Sequence, residues 1–289
     1  MKKTQQCQEI PTNLTIQQFN EFILPHVPPE ARRGRKRKLS WYALINYILF
    51  FLHTGCPWKS LPINKDEHGK PEIHYSRVRA ALVLLTSLGV ITAILTASVA
   101  ALHRAGLLNT RVLHGDGTST AAKKGGDNLG RNGHKPHKGD KVVAFCDRNC
   151  NVIAPFVAAP GNRNESPLFL DGFQHVKEVA KSIGLDLSQT IVSLDGAYDS
   201  SRNRKAIFNA GMIPNIRENR RGRKKTKRGR KRFFDQAIFK ERFRTIERVF
   251  AWEDKFKRLL LRFERISALH YALKTLAYAM INLRHFCTT

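Results

Sequence analysis

The stretch IVSLDGAYDS occupies residues 191–200. Apolar and small residues run straight into Asp195, and glycine follows at once. A short β-branched run bounded by such turn residues reads as a buried strand with a carboxylate at its tip. The same texture surrounds it. TRVLHGDGTS (110–119), KVVAFCDRNCNVIAPFVAAPG (141–161) and MIPNIRE (212–218) are further short β-rich runs. Residues 148–151 make the turn of a hairpin within the second of these. Ser166 to Gly184 and Ser200 to Gly211 carry helical periodicity. Strand, hairpin, helix, strand, helix, strand, helix predicts a mixed α/β sheet.

Upstream the texture is helical. TNLTIQQFNEFILP places Ile16, Phe19, Phe22 and Ile23 at helical spacing, with Thr12 or Asn13 as cap. WYALINYILFFLHTG (41–55) is an apolar helix ending at glycine, and CPWKSLP is a turn holding Trp58. Residues 80–102 lack any charge and are long enough to span a bilayer. Five Ser/Thr and a central Gly89 instead suggest two helices broken near that glycine. After Phe233 the chain is helical again, and residues 240–265 read as one amphipathic helix. Phe243, Ile246, Phe250, Leu260 and Phe263 line its apolar stripe, with Glu247 at the edge.

Among 289 residues, 50 are Lys or Arg and 23 are Asp or Glu, a formal net charge of +27. An excess of that size points to a polyanionic partner, a nucleic acid or an anionic membrane surface. Two runs concentrate it. One holds Arg32, Arg33, Arg35, Lys36, Arg37 and Lys38. The other, residues 217–232, has eleven Lys or Arg in sixteen positions, with Arg220, Arg221, Arg223, Lys224, Lys225, Lys227, Arg228, Arg230, Lys231 and Arg232 at its heart. Both read as phosphate contacts, which supply affinity but little sequence information. His134, Lys135, His137, Lys138 and Lys141 form a further basic loop. Five scattered cysteines are not a disulfide framework, and the N-terminus lacks a signal peptide's apolar core, so a reducing cytoplasm is expected. His134, His137, Cys146 and Cys150 have the wrong order for a known zinc finger.

With acids so scarce, those in apolar or glycine-rich settings require explanation. Asp116 sits in VLHGDGTST and Asp195 in IVSLDGAYDS, both at the ends of β-like runs. In an open sheet such ends converge where ligands bind. Two carboxylates brought together there repel unless a cation such as Mg²⁺ lies between them. Asp before Gly is also a common turn residue, and Glu247 alone reads as a solvated helix residue. Glu165 is an additional site acid or a helix N-terminal residue. Asp199 is expected to cap the helix from Ser200, and Tyr198 to pack.

Five blocks in chain order resemble a DDE transposase of bacterial insertion sequences, from the insertion-sequence-five group of the four/five superfamily. They are RRGRKRKLSWYALINYILFFLHTGCPWKSLP (32–62), HGDGTSTAA (114–122), PGNRNESPLF (160–169), LDGAYDS (194–200) and RTIERVFAWEDKFKRLLLRFE (244–264). The resemblance implies an RNase H-like mixed-sheet catalytic domain over residues 109–289, with the basic insertion 217–232. An all-α helical DNA-binding domain over residues 1–108 precedes it. It implies Asp116, Asp195 and Glu247 as the catalytic, metal-binding acids, with two Mg²⁺ or Mn²⁺ ions. The implied activity is strand cleavage and transfer on double-stranded DNA, at element ends and target, by a homo-oligomer associated with the nucleoid. A decayed transposase or repressor would keep the charge without the chemistry, and a membrane-associated basic protein is a third reading.

The family's third block often carries Arg four positions before its Glu and Lys seven after. Here those positions are Phe243 and Asp254. At about 100° per residue, Arg258 lies about 20° from Glu247, Arg244 about 60°, Lys255 about 80° and Arg242 about 140°. Arg244 and Lys255, or Arg258, are therefore the expected phosphate contacts, with Arg242 turned away.

Overall fold

The computed structural model describes residues 9–29, 37–133, 137–219 and 232–287. Arg32, Arg33, Arg35, Lys36, His134, Lys135 and residues 220–231 lie outside them. The described helices are α1 (Ile16–Phe22), α2 (Trp41–Thr54), α3 (Tyr75–Ser87), α4 (Val90–Arg104), α5 (Glu165–Ile183), α6 (Ser201–Asn209), α7 (Gln236–Lys240), α8 (Ile246–Glu253) and α9 (Ser267–Leu283). The strands are β1 (Val112–Ala121), β2 (Gly130–Arg131), β3 (Lys138–Asp147), β4 (Val157–Pro160), β5 (Ile191–Leu194) and β6 (Ile213–Ile216).

Contacts divide the chain into two units that do not follow chain order. One takes residues up to 98, 123–127 and 253 onward; the other takes 99–122 and 128–252. A single boundary near residue 108 does not describe this division, because the C-terminal segment packs with the first helices. α9 contacts α3, and α2 contacts the 3-10 turn Lys257–Leu259. Buried on nearly every face, α9 is a core helix of its unit. Thr15, not Thr12 or Asn13, caps α1 through a capping box with Gln18. Gly89, at φ +69°, separates α3 from α4, and the pair is bent by 66°. Among the described residues no single helix is long and apolar enough to cross a membrane.

The second unit holds the sheet, in the order β2-β3-β1-β5-β6 with β4 also paired to β3. β1 is antiparallel to β3 and β3 to β4, whereas β5 runs parallel to β1 and β6 parallel to β5. Three antiparallel strands continued by two parallel ones form the expected RNase H-like mixed sheet. Its core is Phe145, Phe169, Phe173, Val176, Leu194 and Tyr198 among others, with Phe169 stacked on Phe173 at 5.3 Å. A Cβ at Gly115 would come within 2.6 Å of both Phe145 and Leu194, so glycine lets these side chains close over β1. The hairpin turn falls where expected, and Cys150 takes a left-handed φ of 61° within it.

Residues 240–265 are not one helix. α7 gives way to a 3-10 turn (Glu241–Arg244), Thr245 takes φ −122° and ψ −92°, α8 ends at Glu253, and a second 3-10 turn follows. The apolar stripe breaks accordingly, leaving Phe243 67% and Leu260 52% exposed.

Candidate active site

Sheet register explains why the two aspartates meet. β1 pairs with β5 as Val112↔Ile191, Leu113↔Val192 and His114↔Ser193, and the same offset sets Asp116 level with Asp195. Asp116 is not at the end of its strand, since β3 pairs with β1 as far as Ala121. It stands where the parallel half stops. Beyond Leu194, Asp195 leaves the sheet and accepts the amide proton of Gly196, capping a 3-10 turn over residues 196–198. Glu247 arrives from the first turn of α8.

These three acids, distant in sequence, converge on one guanidinium. Arg242 donates through Nη2 to Asp116 Oδ2. Its Nη1 lies 3.5 Å from Asp195 Oδ2, and Nη2 lies 3.5 Å from Glu247 Oε1. The set is graded by depth. The Asp116 side chain is 11% exposed and Arg242 14%, against 44% for Asp195 and 43% for Glu247. Burial dominates at Asp116 and lifts its carboxyl to about 6, although Arg242 and the Gly117 amide pull it back. Burial also disfavours the charged form of Arg242, but the three carboxylates more than offset this and raise its pKa. It is a permanent cation.

Arg242 is thus the reverse of the sequence expectation. The 100° spacing assumed a continuous helix, whereas the 3-10 turn and the break at Thr245 rotate Arg242 onto the acids. The turn is held from outside. Arg148 grips Glu241 with two bonds of 2.7 and 2.8 Å, and His114 Nε2 lies 3.5 Å from the same carboxylate. Burial lowers His114 to about 4 despite Glu241, so the ring is neutral at pH 7. Thr245 donates its hydroxyl to Glu241 O at 2.9 Å. Sequence reasoning missed Arg148, Glu241 and His114, because their pairing is set by the fold alone.

A fourth acid sits beside the three. Glu165 opens α5 after its cap Asn164, as the helix N-terminal reading expects, and its carboxylate lies beside Gly117 of β1. A Cβ at Gly117 would lie 2.5 Å from its carboxyl carbon. Lys141 Nζ lies 3.3 Å from Oε1, and Tyr198 Oη donates to Oε2 at 3.2 Å. Burial, then Glu165, push the Tyr198 phenol well above its ordinary value and keep it a donor. Lys141 lies within β3 and is buried, not part of an open basic loop. Asp199 does not cap α6; Ser200 does, while Asp199 accepts from Arg204 and Arg232 at 2.9 and 3.0 Å.

The other expected DNA contacts fall in varied settings. Arg244 and Lys255 are exposed. Arg258 is buried, donates to Glu264 Oε1 at 2.5 and 3.0 Å, and stacks over Phe51 and Phe263. The helical register that selected it spans the break after Glu253. Arg37 lies over Trp41 at 3.8 Å, Lys38 is exposed, and Arg232 is tied to Asp199. Among the described residues Cys56, Cys146, Cys150 and Cys287 form no disulfide, and Cys150 Sγ donates to Arg244 O at 3.2 Å.

Among the described residues no three His, Cys, Asp or Glu side chains stand in a formed metal-binding arrangement. The donor set of Asp116, Asp195 and Glu247 nevertheless fits a hard divalent ion in chemistry: carboxylate oxygens only, converging on one cationic group of the protein. The family described as transposase DDE domain matches residues 109–283. The chain belongs to that family. Members of the family generally use divalent metal ions. No curated protein matches the chain. Among solved structures, "Mos1 transposase paired-end complex with left transposon end" is similar over 65% of this chain, at 10% identity and a TM-score of 0.27. The alignment spans 61% of that structure's chain, less than two thirds, and the superposition is too loose to inform the site.

Proposed function

We propose that this transposase binds the ends of an insertion sequence of the five group and carries out strand cleavage and strand transfer there. The reading rests on one observation: Asp116, Asp195 and Glu247, carried by β1, the tip of β5 and α8, meet at a single cationic centre. Asp116, Asp195 and Glu247 would hold two Mg²⁺ or Mn²⁺ ions, which when bound supply Lewis acidity toward attacking and leaving oxygens. Asp116 must be ionised for this, and burial lifts its carboxyl to about 6. Lys141 and Tyr198 fix Glu165 beside the same cleft. The half-buried Asp195 and Glu247 leave the outer side open to a DNA backbone. The basic runs draw that backbone in without reading its sequence. Water is the first nucleophile in this reading and the freed 3′-hydroxyl the second, with no covalent protein–DNA intermediate. A homo-oligomer holding two ends at the nucleoid completes it.

The test is a duplex carrying the DNA that flanks this gene, incubated with purified protein and Mg²⁺ or Mn²⁺. A nick at the element boundary is expected with the wild type and absent with Asp195→Ala or Asp116→Asn, both of which keep DNA binding. Tight binding with no nick at any metal concentration would instead favour a decayed, DNA-binding repressor.

A further inference from the structure

The three acids already have a cation, and it belongs to the chain. Arg242 bridges Asp116, Asp195 and Glu247 through both terminal nitrogens. Its side chain is 14% exposed, and its guanidinium is flanked by the Phe239 and Phe243 rings with centroids at 5.5 and 6.0 Å. It carries one charge against three carboxylates, so its neutralisation of them is incomplete. A divalent ion seeking the same oxygens meets a competitor of lower charge that is covalently tethered and therefore always at high effective concentration. Nothing in the backbone prevents exchange, because Arg242 projects from a 3-10 turn by a long side chain.

We propose that Arg242 is a positioning residue that competes with divalent metal for Asp116, Asp195 and Glu247, and that a DNA phosphate releases it. This rests on the proposed metal-dependent reading of the same acids. A guanidinium presents a planar fork of donors that matches phosphate oxygens as well as carboxylates. A backbone phosphate entering the open side of the site offers Arg242 an equivalent partner. The carboxylates then become available to metal. Metal and DNA therefore bind with positive coupling, and by linkage each raises the other's affinity by one common factor. The arrangement keeps the acids collected in free protein and loads the metal where a strand is present to be cut.

The measurement is Mn²⁺ binding to the full chain, read by the electron paramagnetic resonance signal of free Mn²⁺, with and without a short duplex. In the absence of DNA, Arg242→Gln is expected to bind Mn²⁺ at least about tenfold more tightly than wild type, equivalent to roughly 1.4 kcal/mol. Arg242→Lys, which keeps the charge but loses the fork, should fall between them, and it serves if the glutamine variant does not fold. Duplex should tighten Mn²⁺ binding by wild type and leave Arg242→Gln much less affected. Unchanged or weaker Mn²⁺ binding in both variants overturns the competition. Equal tightening by duplex in wild type and Arg242→Gln overturns the phosphate exchange. Asp116→Asn separates the two levels. If it weakens Mn²⁺ binding while the Arg242 variants change nothing, only the role of Arg242 fails. If it too changes nothing, the metal-site reading itself fails.

Discussion

Asp116 is the deepest of the acids that meet Arg242, and the cost of ionising it there is its governing property. Burial raises its carboxyl to about 6, above the ordinary carboxylate value. A raised folded-state pKa means that the fold favours the protonated form. The corresponding stability is fully present below the unfolded pKa near 4 and is lost as pH rises through about 6. Asparagine at this position never ionises. In chelator, wild type should therefore lose stability relative to Asp116→Asn between pH 4 and 6, by up to about 3 kcal/mol, and the difference should be flat above that. Thermal melting of the two proteins across that range checks the sign. A difference that does not vary with pH would show that Arg242 fully offsets the burial. Asp116 and Asp195 stood out in the sequence as candidate site acids because an acid in or beside a short β-like run is conspicuous in an acid-poor chain. Arg242 was not, because its orientation depends on a helix break that its own neighbours do not encode.

Elements differ in how much of them is written locally. α5 is announced at both ends, by Asn164 accepting from the Ser166 amide and by Gly184 at φ +69°. The break between α7 and α8 carries no glycine or proline. It is imposed by contacts from elsewhere, chiefly Arg148 on Glu241, and no local pattern reveals it. The segment Lys123–Asp127 is similar. It follows β1 in sequence yet belongs to the other unit, pinned to the start of α9. Buried Arg262 donates to Asp127 O and Oδ1 at 2.7 and 2.9 Å, and Asp127 in turn accepts from the Ser267 amide and hydroxyl at 2.6 and 2.7 Å. Gly126 makes this possible. It takes φ +139°, and a Cβ there would lie 2.3 Å from Arg265 O. Backbone cannot yield as a side-chain tip does, so Gly126→Ala should cost at least about 2 kcal/mol. Gly125→Ala is the control, at φ +74° with nothing near its Cβ, and should cost about 1 kcal/mol from the left-handed backbone alone. Equal losses in melting temperature would mean that the close approach to Arg265 contributes nothing.

At the scale of the whole chain, charge is what the sequence states most openly and what the fold leaves least altered. A net charge of +27 on 289 residues sets long-range attraction to a polyanion such as DNA before any site is engaged. How the chain's two ends share one unit was invisible, since nothing in either end names the other. Within the charge, residues 222–231 contribute seven Lys or Arg. Each phosphate neutralised by such a residue releases counterions, steepening the fall of affinity with salt by about 0.9 in the logarithmic slope. Deleting 222–231 spares Arg232, whose bond to Asp199 belongs to the second unit. The deletion should weaken binding to element ends and to unrelated duplex alike, and flatten the salt slope by as much as roughly 6. Titrating both duplexes over a range of salt concentrations separates two roles. Uniform weakening with a flatter slope identifies the run as a sequence-blind phosphate tether. Loss confined to the element ends, with the slope on unrelated duplex unchanged, would show instead that this run reads sequence.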